Sequence, residues 1–175
     1  MMKKISPGSL SRCAMMAALY AAVSIVLLPI SFGAVQVRLS EALTILPVYT
    51  PLGVWGITLG CLITNAYGVA AGANILGAAD IVIGTLATLA AALLTRCLRK
   101  FRIKGMPIPA TLPPILTNAV VIGAELTFAE TGKIFGPLLW INMTQIAVGQ
   151  FIACTVGGLI VAAAVERCGL DKTLF

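Results

Sequence analysis

The sequence predicts an all-α membrane protein with six transmembrane helices, in a single domain that covers residues 1–175. Hydrophobic residues make up 59% of the chain and charged residues only 10%, against about 25% charged residues in a typical soluble domain. The mean hydropathy is +1.03. Six acidic and twelve basic side chains are too few to cover the exterior of a soluble fold of this size.

The transmembrane helices are predicted from the apolar runs of the chain. A bilayer core about 30 Å thick needs about 20 helical residues. Four runs have this length, and a fifth has it if Asp80 lies near its outer end. The first run is too long for the apolar part of a signal peptide, so we interpret it as a retained span. In chain order the five runs are Cys13 to Ile30, Leu52 to Ala71, Ile75 to Thr95, Leu112 to Ala129 and Leu138 to Val165.

The basic residues predict the topology. Five of the twelve lie in one short connection, Arg96 to Lys104, and such connections favour the cytoplasm. The amino terminus, with Lys3, Lys4 and Arg12, is expected there too, so an even number of spans must lie between them. Only three long apolar runs lie between the amino terminus and this connection. The segment Val35 to Tyr49 is therefore expected to cross as a short helix, tilted or locally buried, which leaves both termini in the cytoplasm. A re-entrant helix is the alternative.

The composition disfavours several functions. The net charge of +6 follows from topology, and only Phe101 among the aromatic residues accompanies the basic connection, so nucleic acid is not an expected partner. The chain has no histidine, and its five cysteines are scattered without a C-x-x-C pair; we therefore expect neither a metal site nor a cofactor. No G-x-x-x-x-G-K-[ST] loop occurs, so the chain is not expected to hydrolyse ATP by itself.

Polar side chains within the predicted spans gather at one depth. Ionisable groups inside a bilayer are costly, and they normally face a protein interior or a water-filled cavity. Gln150 lies near the middle of its span and Asn118 towards the cytoplasm. The other candidates fall in the outer halves of their spans: Arg38, Glu41, Asn65, Tyr67, Asp80, Glu125, Trp140, Asn142 and Gln145. This convergence predicts an outward-facing polar pocket for a small molecule.

Some of these candidates also have a purely structural explanation. Arg38 and Glu41 are three residues apart on one helical face, so an internal pair between them can hold helices together. Asp80 can cap a helix or lie in interfacial water. Glu125 lies deep in its span with no neighbouring base in the sequence, and it is the hardest of these residues to explain without a ligand.

Small residues recur every four positions in the first span, at Ala14, Ala18 and Ala22. Faces of this kind allow two helices to approach closely. An internal neighbour and an external partner protein would each account for them.

Several segments resemble the QueT family in order and spacing: VRLSEALTILPVYTP, GCLITNAYG, DIVIGTLATLAA, LPPILTNAVVIG and VGQ. The resemblance covers nearly the whole chain. It implies the substrate-binding (S) component of an energy-coupling-factor (ECF) transporter for queuosine precursors or related deazaguanines. It also implies a membrane coupling subunit (T component), which the alanine face would contact, and two ATPase subunits. Gly149-Gln150 stands where the family often has Gly-Glu, and a neutral amide there weakens interactions with a cationic aminomethyl group or a guanine-like N–H edge.

For such a ligand, the acids and amides are expected to line the pocket. Asp80, Glu125 and Asn142 are the main candidates, and Gln145 and Gln150 are weaker ones. Deazaguanines carry adjacent N–H donors, and a carboxylate accepts two of them at once in strong, charge-assisted hydrogen bonds.

The remaining candidates are expected to support this pocket. Tyr67 or Trp140 would stack on the flat ring, and Arg38 with Glu41 would fix the second span against the pocket. Two alternatives stay open: an S component for another micronutrient such as a vitamin, and a membrane assembly protein without a ligand. A membrane enzyme is opposed by the absence of histidine and of a recognisable nucleophile motif.

Overall fold

The computed structural model describes residues 6–31 and 37–170. Both termini lie outside the described residues, together with Lys3, Lys4 and most of the connection Ser31 to Gln36. The expected cytoplasmic position of the termini therefore also concerns residues outside the described ranges. The described chain is helical apart from turns and one isolated β-bridge between Ile103 and Met106. Its helices, apart from the short 3₁₀ turns Leu98–Lys100 and Ile108–Thr111, are α1 (Pro7–Val26), α2 (Leu28–Ser31), a central 3₁₀ helix (Leu39–Val48), α3 (Leu52–Ala70), α4 (Ala79–Cys97), α5 (Leu112–Thr131), α6 (Pro137–Gln150), a π segment (Phe151–Gly157) and α7 (Gly158–Arg167).

Five helices are long and apolar enough to cross a membrane, by length and composition. Each of them corresponds to one of the five predicted runs, so the polytopic helical class is confirmed. The last one is continuous through the π segment. They are Pro7–Val26, Leu52–Ala70, Ala79–Lys100, Ile108–Thr131 and Pro137–Arg167.

Helices α1 and α3 pack closely and run in the same direction. A Cβ atom on Gly56 would lie 2.9 Å from Met16 Cβ, and one on Gly60 would lie 2.7 Å from Tyr20 Cβ. A step of four residues along α3 therefore matches a step of four along α1. The chain between these helices must therefore return from one end of the bundle to the other. An even number of spans between the two basic segments, as predicted from the sequence, requires the same return.

The central 3₁₀ helix lies on this return path. Ten 3₁₀ residues span about 20 Å, less than the bilayer core of about 30 Å. Eight of the ten are buried, and the helix contacts α1, α3, α4 and α7. The segment is thus enclosed by the bundle, in agreement with the expectation of local burial. Six membrane crossings remain a prediction, because this helix is too short to span the bilayer by itself.

Hydrogen bonds at one end of the bundle join three parts of the chain. Arg96 Nη1 donates to the Pro47 carbonyl oxygen (2.8 Å), at the end of the 3₁₀ helix. Tyr49 Oη donates to Glu166 Oε1 (2.8 Å), and Arg102 Nη1 donates to the same oxygen (2.6 Å). The basic connection, the end of the 3₁₀ helix and the end of α7 therefore lie together.

Candidate ligand-binding site

A small polar cavity lies in the middle of the bundle. Its walls come from the central 3₁₀ helix, α4, α5 and the end of α6. The space that the centre of a water molecule can occupy inside it is about 10 Å³. The cavity therefore has room for about one water molecule. The lining residues are Arg38, Glu41, Gly84, Thr88, Asn118, Ile122 and Gln150.

Helical spacing explains why these residues meet. On α4, Gly84 and Thr88 are four residues apart, and so are Asn118 and Ile122 on α5, so each pair shares one face of its helix. Gln150 is the last residue of α6, directly before the π segment. Such π turns are frequent at functional sites.

Glu41 is the most distinctive group in the cavity. The residue is 2% exposed, and its Oε1 accepts a hydrogen bond from Tyr20 Oη (2.5 Å). Its Oε2 is buried and has no hydrogen-bond partner among the described residues. An unsatisfied buried acceptor costs about 1–3 kcal/mol, and more when it is charged. A ligand donor in the cavity would remove that cost.

Arg38 lines the same cavity. It is 8% exposed, and its Nη1 donates to Cys61 Sγ (3.8 Å). Cys61 Sγ also accepts from Thr88 Oγ1 (3.2 Å), which ties α3 to α4 beside the cavity. The structure thus brings Arg38 and Glu41 together on one wall, as the sequence suggested, but that wall faces an internal space.

A second group of polar residues lies about one helical turn from the cavity, around Asp80. Asn74 Nδ2 donates to Asp80 Oδ2 (2.7 Å), and Asn65 Nδ2 donates to the Asp80 carbonyl oxygen (2.9 Å). Asn65 Oδ1 is buried without a hydrogen-bond partner in the described chain. The cap position of α4 is Ala78, with no side-chain cap bond, so capping does not explain Asp80. Gly84 leaves space for this carboxylate, since a Cβ there would lie 2.0 Å from Asp80 Oδ1.

Glu125 and Asn142 differ in how well their polar atoms are satisfied. Both carboxylate oxygens of Glu125 are buried without a hydrogen-bond partner in residues 6–31 and 37–170, one turn along α5 from Ile122. Asn142, on α6, donates to Thr127 Oγ1 (3.1 Å) and to Glu130 Oε2 (3.0 Å). Glu125 therefore has free acceptors for a ligand, whereas the amide hydrogens of Asn142 bind α5.

Besides Asn65, Asp80, Glu125 and Asn142, three further sequence candidates do not line the cavity: Tyr67, Trp140 and Gln145. Tyr67 is 47% exposed and Trp140 is 69% exposed, so neither ring lies against the cavity. Trp140 and Gln145 line an open apolar groove on the outer surface of α6, together with Ile141, Thr144 and Val148.

Several residues that line the cavity or bond to its lining were not identified from the sequence as site residues. Tyr20, Thr88 and Gly84 are absent from the candidate set, and Asn118 was expected nearer the cytoplasm. Two features of the sequence are weak signals that these residues belong to the site. Thr88 is eight residues after Asp80, and Tyr20 is the only tyrosine of α1. Their hydrogen bonds join residues far apart in the chain, and only helix packing reveals them.

The two faces of α1 have different surroundings. Ala17 and Ala21 are buried, whereas Ala14, Ala18 and Ala22 are exposed. In the described part of the chain, internal packing therefore does not account for the repeated alanines. Their face is open to lipid or to another protein.

These features define a helical multi-pass membrane protein with a small internal polar cavity. Within the described ranges, no group of three or more His, Cys, Asp or Glu side chains could hold a metal ion. A family model described as QueT transporter matches residues 10–167. The chain belongs to the QueT transporter family, whose known role is that of an ECF S component, a transport protein and not an enzyme. No curated protein and no solved structure matches the chain.

Proposed function

We propose that this chain is the substrate-binding subunit of an ECF importer for a queuosine precursor or a related deazaguanine. The observation that carries the proposal is the enclosed cavity with the unpartnered Glu41 Oε2 in a member of the QueT transporter family. A transport protein that isolates its ligand from the bilayer needs such an internal polar site.

The chemistry of the cavity supports a flat, polar, uncharged base. Arg38 only donates hydrogen bonds, and a carboxylate such as Glu41 only accepts them. Asp80 and Glu125 add acceptors about one turn away. A deazaguanine carries both N–H donors and a carbonyl acceptor in one plane, so it matches both kinds of group.

Ligand binding requires the cavity to expand. Ligand sites are usually about 300 Å³ or larger, and this cavity holds about one water molecule. The central 3₁₀ helix is the wall best suited to move, because 3₁₀ hydrogen bonds have poorer geometry and runs of more than three or four residues are uncommon. That helix carries Glu41, and Arg38 immediately precedes it.

The proposed binding residues form two groups. Arg38, Glu41 and Gln150 contact the ligand in the cavity, and Asn65, Asp80 and Glu125 complete the site when it opens. A last set stays a prediction with weaker support, because these residues are exposed or bonded elsewhere: Tyr67, Trp140, Asn142 and Gln145.

We propose that the exposed alanines Ala14, Ala18 and Ala22 contact the T component of the transporter. Small side chains let a partner helix approach α1 closely. ATP hydrolysis would come from two ATPase subunits, since the sequence contains no nucleotide-binding loop. The chain would cross the membrane six times, with the basic connection Arg96 to Lys104 and both termini in the cytoplasm.

Mass spectrometry of the purified chain tests the proposed function. The protein is expressed in cells that contain queuosine precursors, purified in detergent and extracted for bound small molecules. A copurified deazaguanine supports the proposal, and titration with 7-deazaguanine by calorimetry should give saturable binding. A copurified vitamin would assign the subunit to another micronutrient, and repeated absence of any ligand would favour an assembly role.

A further inference from the structure

We propose that Glu41 and Arg38 contact the ligand directly and together recognise a lactam edge, in which one N–H lies next to one carbonyl group. This inference rests on the proposed function and reverses the role expected from the sequence, where both residues only support the pocket. It also assigns a single N–H bond to Glu41, instead of the paired N–H bonds expected of a ligand carboxylate.

The hydrogen bonds of Glu41 carry the first part of the inference. Tyr20 Oη donates to Oε1 and thereby holds the carboxylate in one orientation. Oε2 is buried, has no partner in the described chain and belongs to a residue that lines the cavity. One oxygen is thus committed to the protein, and the other is directed to one ligand N–H. Tyr20 acts as a positioning residue.

The guanidinium of Arg38 carries the second part. It has five N–H donors in a fixed plane and no acceptor, so it can serve the protein and a ligand oxygen at once. Arg38 and Glu41 are three residues apart and line the same small cavity. A donor group and an acceptor group on one wall match an acceptor and a donor that are adjacent on the ligand.

The other lining groups do not compete for this edge. Thr88, Asn118 and Gln150 are uncharged, and Gln150 Oε1 already accepts from Cys154 Sγ (3.1 Å). Arg38 and Glu41 are the two charged residues of the lining, and their formal charges cancel. A lactam is therefore preferred over a phosphate or another anionic ligand group, which the nearby carboxylates Asp80 and Glu125 would also repel.

Ligand analogues test the inference on the unchanged protein. The parent chain should bind 7-deazaguanine and, nearly as well, 7-deazahypoxanthine, which keeps the lactam and lacks the 2-amino group. Methylation of N1 removes the N–H, and replacement of the carbonyl oxygen by sulfur leaves a poor acceptor. Each of these changes should weaken binding by about 10- to 150-fold, the range expected for one charge-assisted hydrogen bond.

A variant tests the role of the carboxylate. Glu41→Gln should weaken 7-deazaguanine binding by a similar factor and should bind the N1-methyl analogue no worse than the parent does. Thr95→Val is the matched control, because its buried hydroxyl donates to the Ala110 carbonyl oxygen (3.1 Å) away from the cavity; its binding should equal that of the parent. Circular dichroism checks that both variants keep their helix content.

The outcomes separate this inference from the proposed function. If the parent binds no deazapurine, the proposed ligand is wrong and the inference falls with it. If the parent binds 7-deazaguanine, and both the N1-methyl analogue and Glu41→Gln bind equally well, the transport proposal stands and the lactam inference is refuted. A large loss with 7-deazahypoxanthine would also refute it, since paired N–H contacts would then be required.

Discussion

Replacement of Gly60 by alanine should weaken the packing of α1 against α3. A Cβ atom at this position would lie 2.7 Å from Tyr20 Cβ and 2.9 Å from the Ala17 carbonyl oxygen. Comfortable carbon contacts are about 3.5–4.0 Å, so the two helices must separate by about 1 Å or bend locally. The carbonyl belongs to the backbone of α1, which cannot rotate away as a flexible side chain would.

The magnitude follows from the cost of overpacking, typically about 1–3 kcal/mol. Removal of a helical glycine has an opposite effect of about 0.5–1 kcal/mol, so a matched control is needed. Gly158→Ala supplies it, because this buried helical glycine has its nearest neighbour, the Ala42 carbonyl oxygen, at an ordinary 3.5 Å. The apparent melting temperature of Gly60→Ala should lie about 2–12 °C below that of Gly158→Ala.

Far-ultraviolet circular dichroism of the purified proteins in one detergent measures this difference. The helix content of both variants at low temperature should equal that of the parent, because the change affects packing between helices. Equal melting temperatures for the two variants would refute the close parallel contact of α1 and α3. With that contact, the return of the chain through the central 3₁₀ helix would also lose its support.

Three further predictions concern the partner, the topology and the ligand. Ala18→Trp should abolish copurification with the T component while the isolated chain still binds its ligand; loss of binding in the isolated chain would contradict this. In a cysteine-free background, an impermeant thiol reagent applied to intact cells should label Lys133→Cys and spare Lys100→Cys, and the reverse pattern would overturn the orientation. Glu125→Gln should weaken ligand binding about 10-fold, as loss of one charge-assisted bond implies; unchanged calorimetric affinity would remove Glu125 from the site.

The long helices were predictable because length and hydrophobicity suffice to define a membrane span. Their bounds in the structure differ from the predicted runs by a few residues, as for Leu112 to Ala129 against Leu112–Thr131. The 3₁₀ conformation of Leu39–Val48 was not predictable. It depends on the surrounding helices, and local sequence does not distinguish a buried 3₁₀ helix from a short α-helix.

The site was predictable in composition and less so in geometry. Depth along each span identified Arg38, Glu41 and Asp80 as interior polar residues, because burial of such groups is costly and requires a reason. It did not identify Tyr20, which lies 21 positions before its partner Glu41. Depth alone also does not show which side of a helix a residue faces. The outward-facing Trp140 was therefore grouped with the interior residues.

Helix α1 connects the candidate ligand site to the candidate partner face. Tyr20 on its buried side holds Glu41, and Ala18 and Ala22 on its other side are exposed. The two faces are separated by the width of one helix, about 10 Å with side chains. A ligand that binds Glu41 Oε2 would therefore act, through the bond of Oε1 to Tyr20, on the helix that a partner contacts. Such a link requires α1 to have two arrangements that ligand and partner favour unequally. Because α1 and α3 are in tight contact at Gly56 and Gly60, a change from one arrangement to the other must move α3 together with α1.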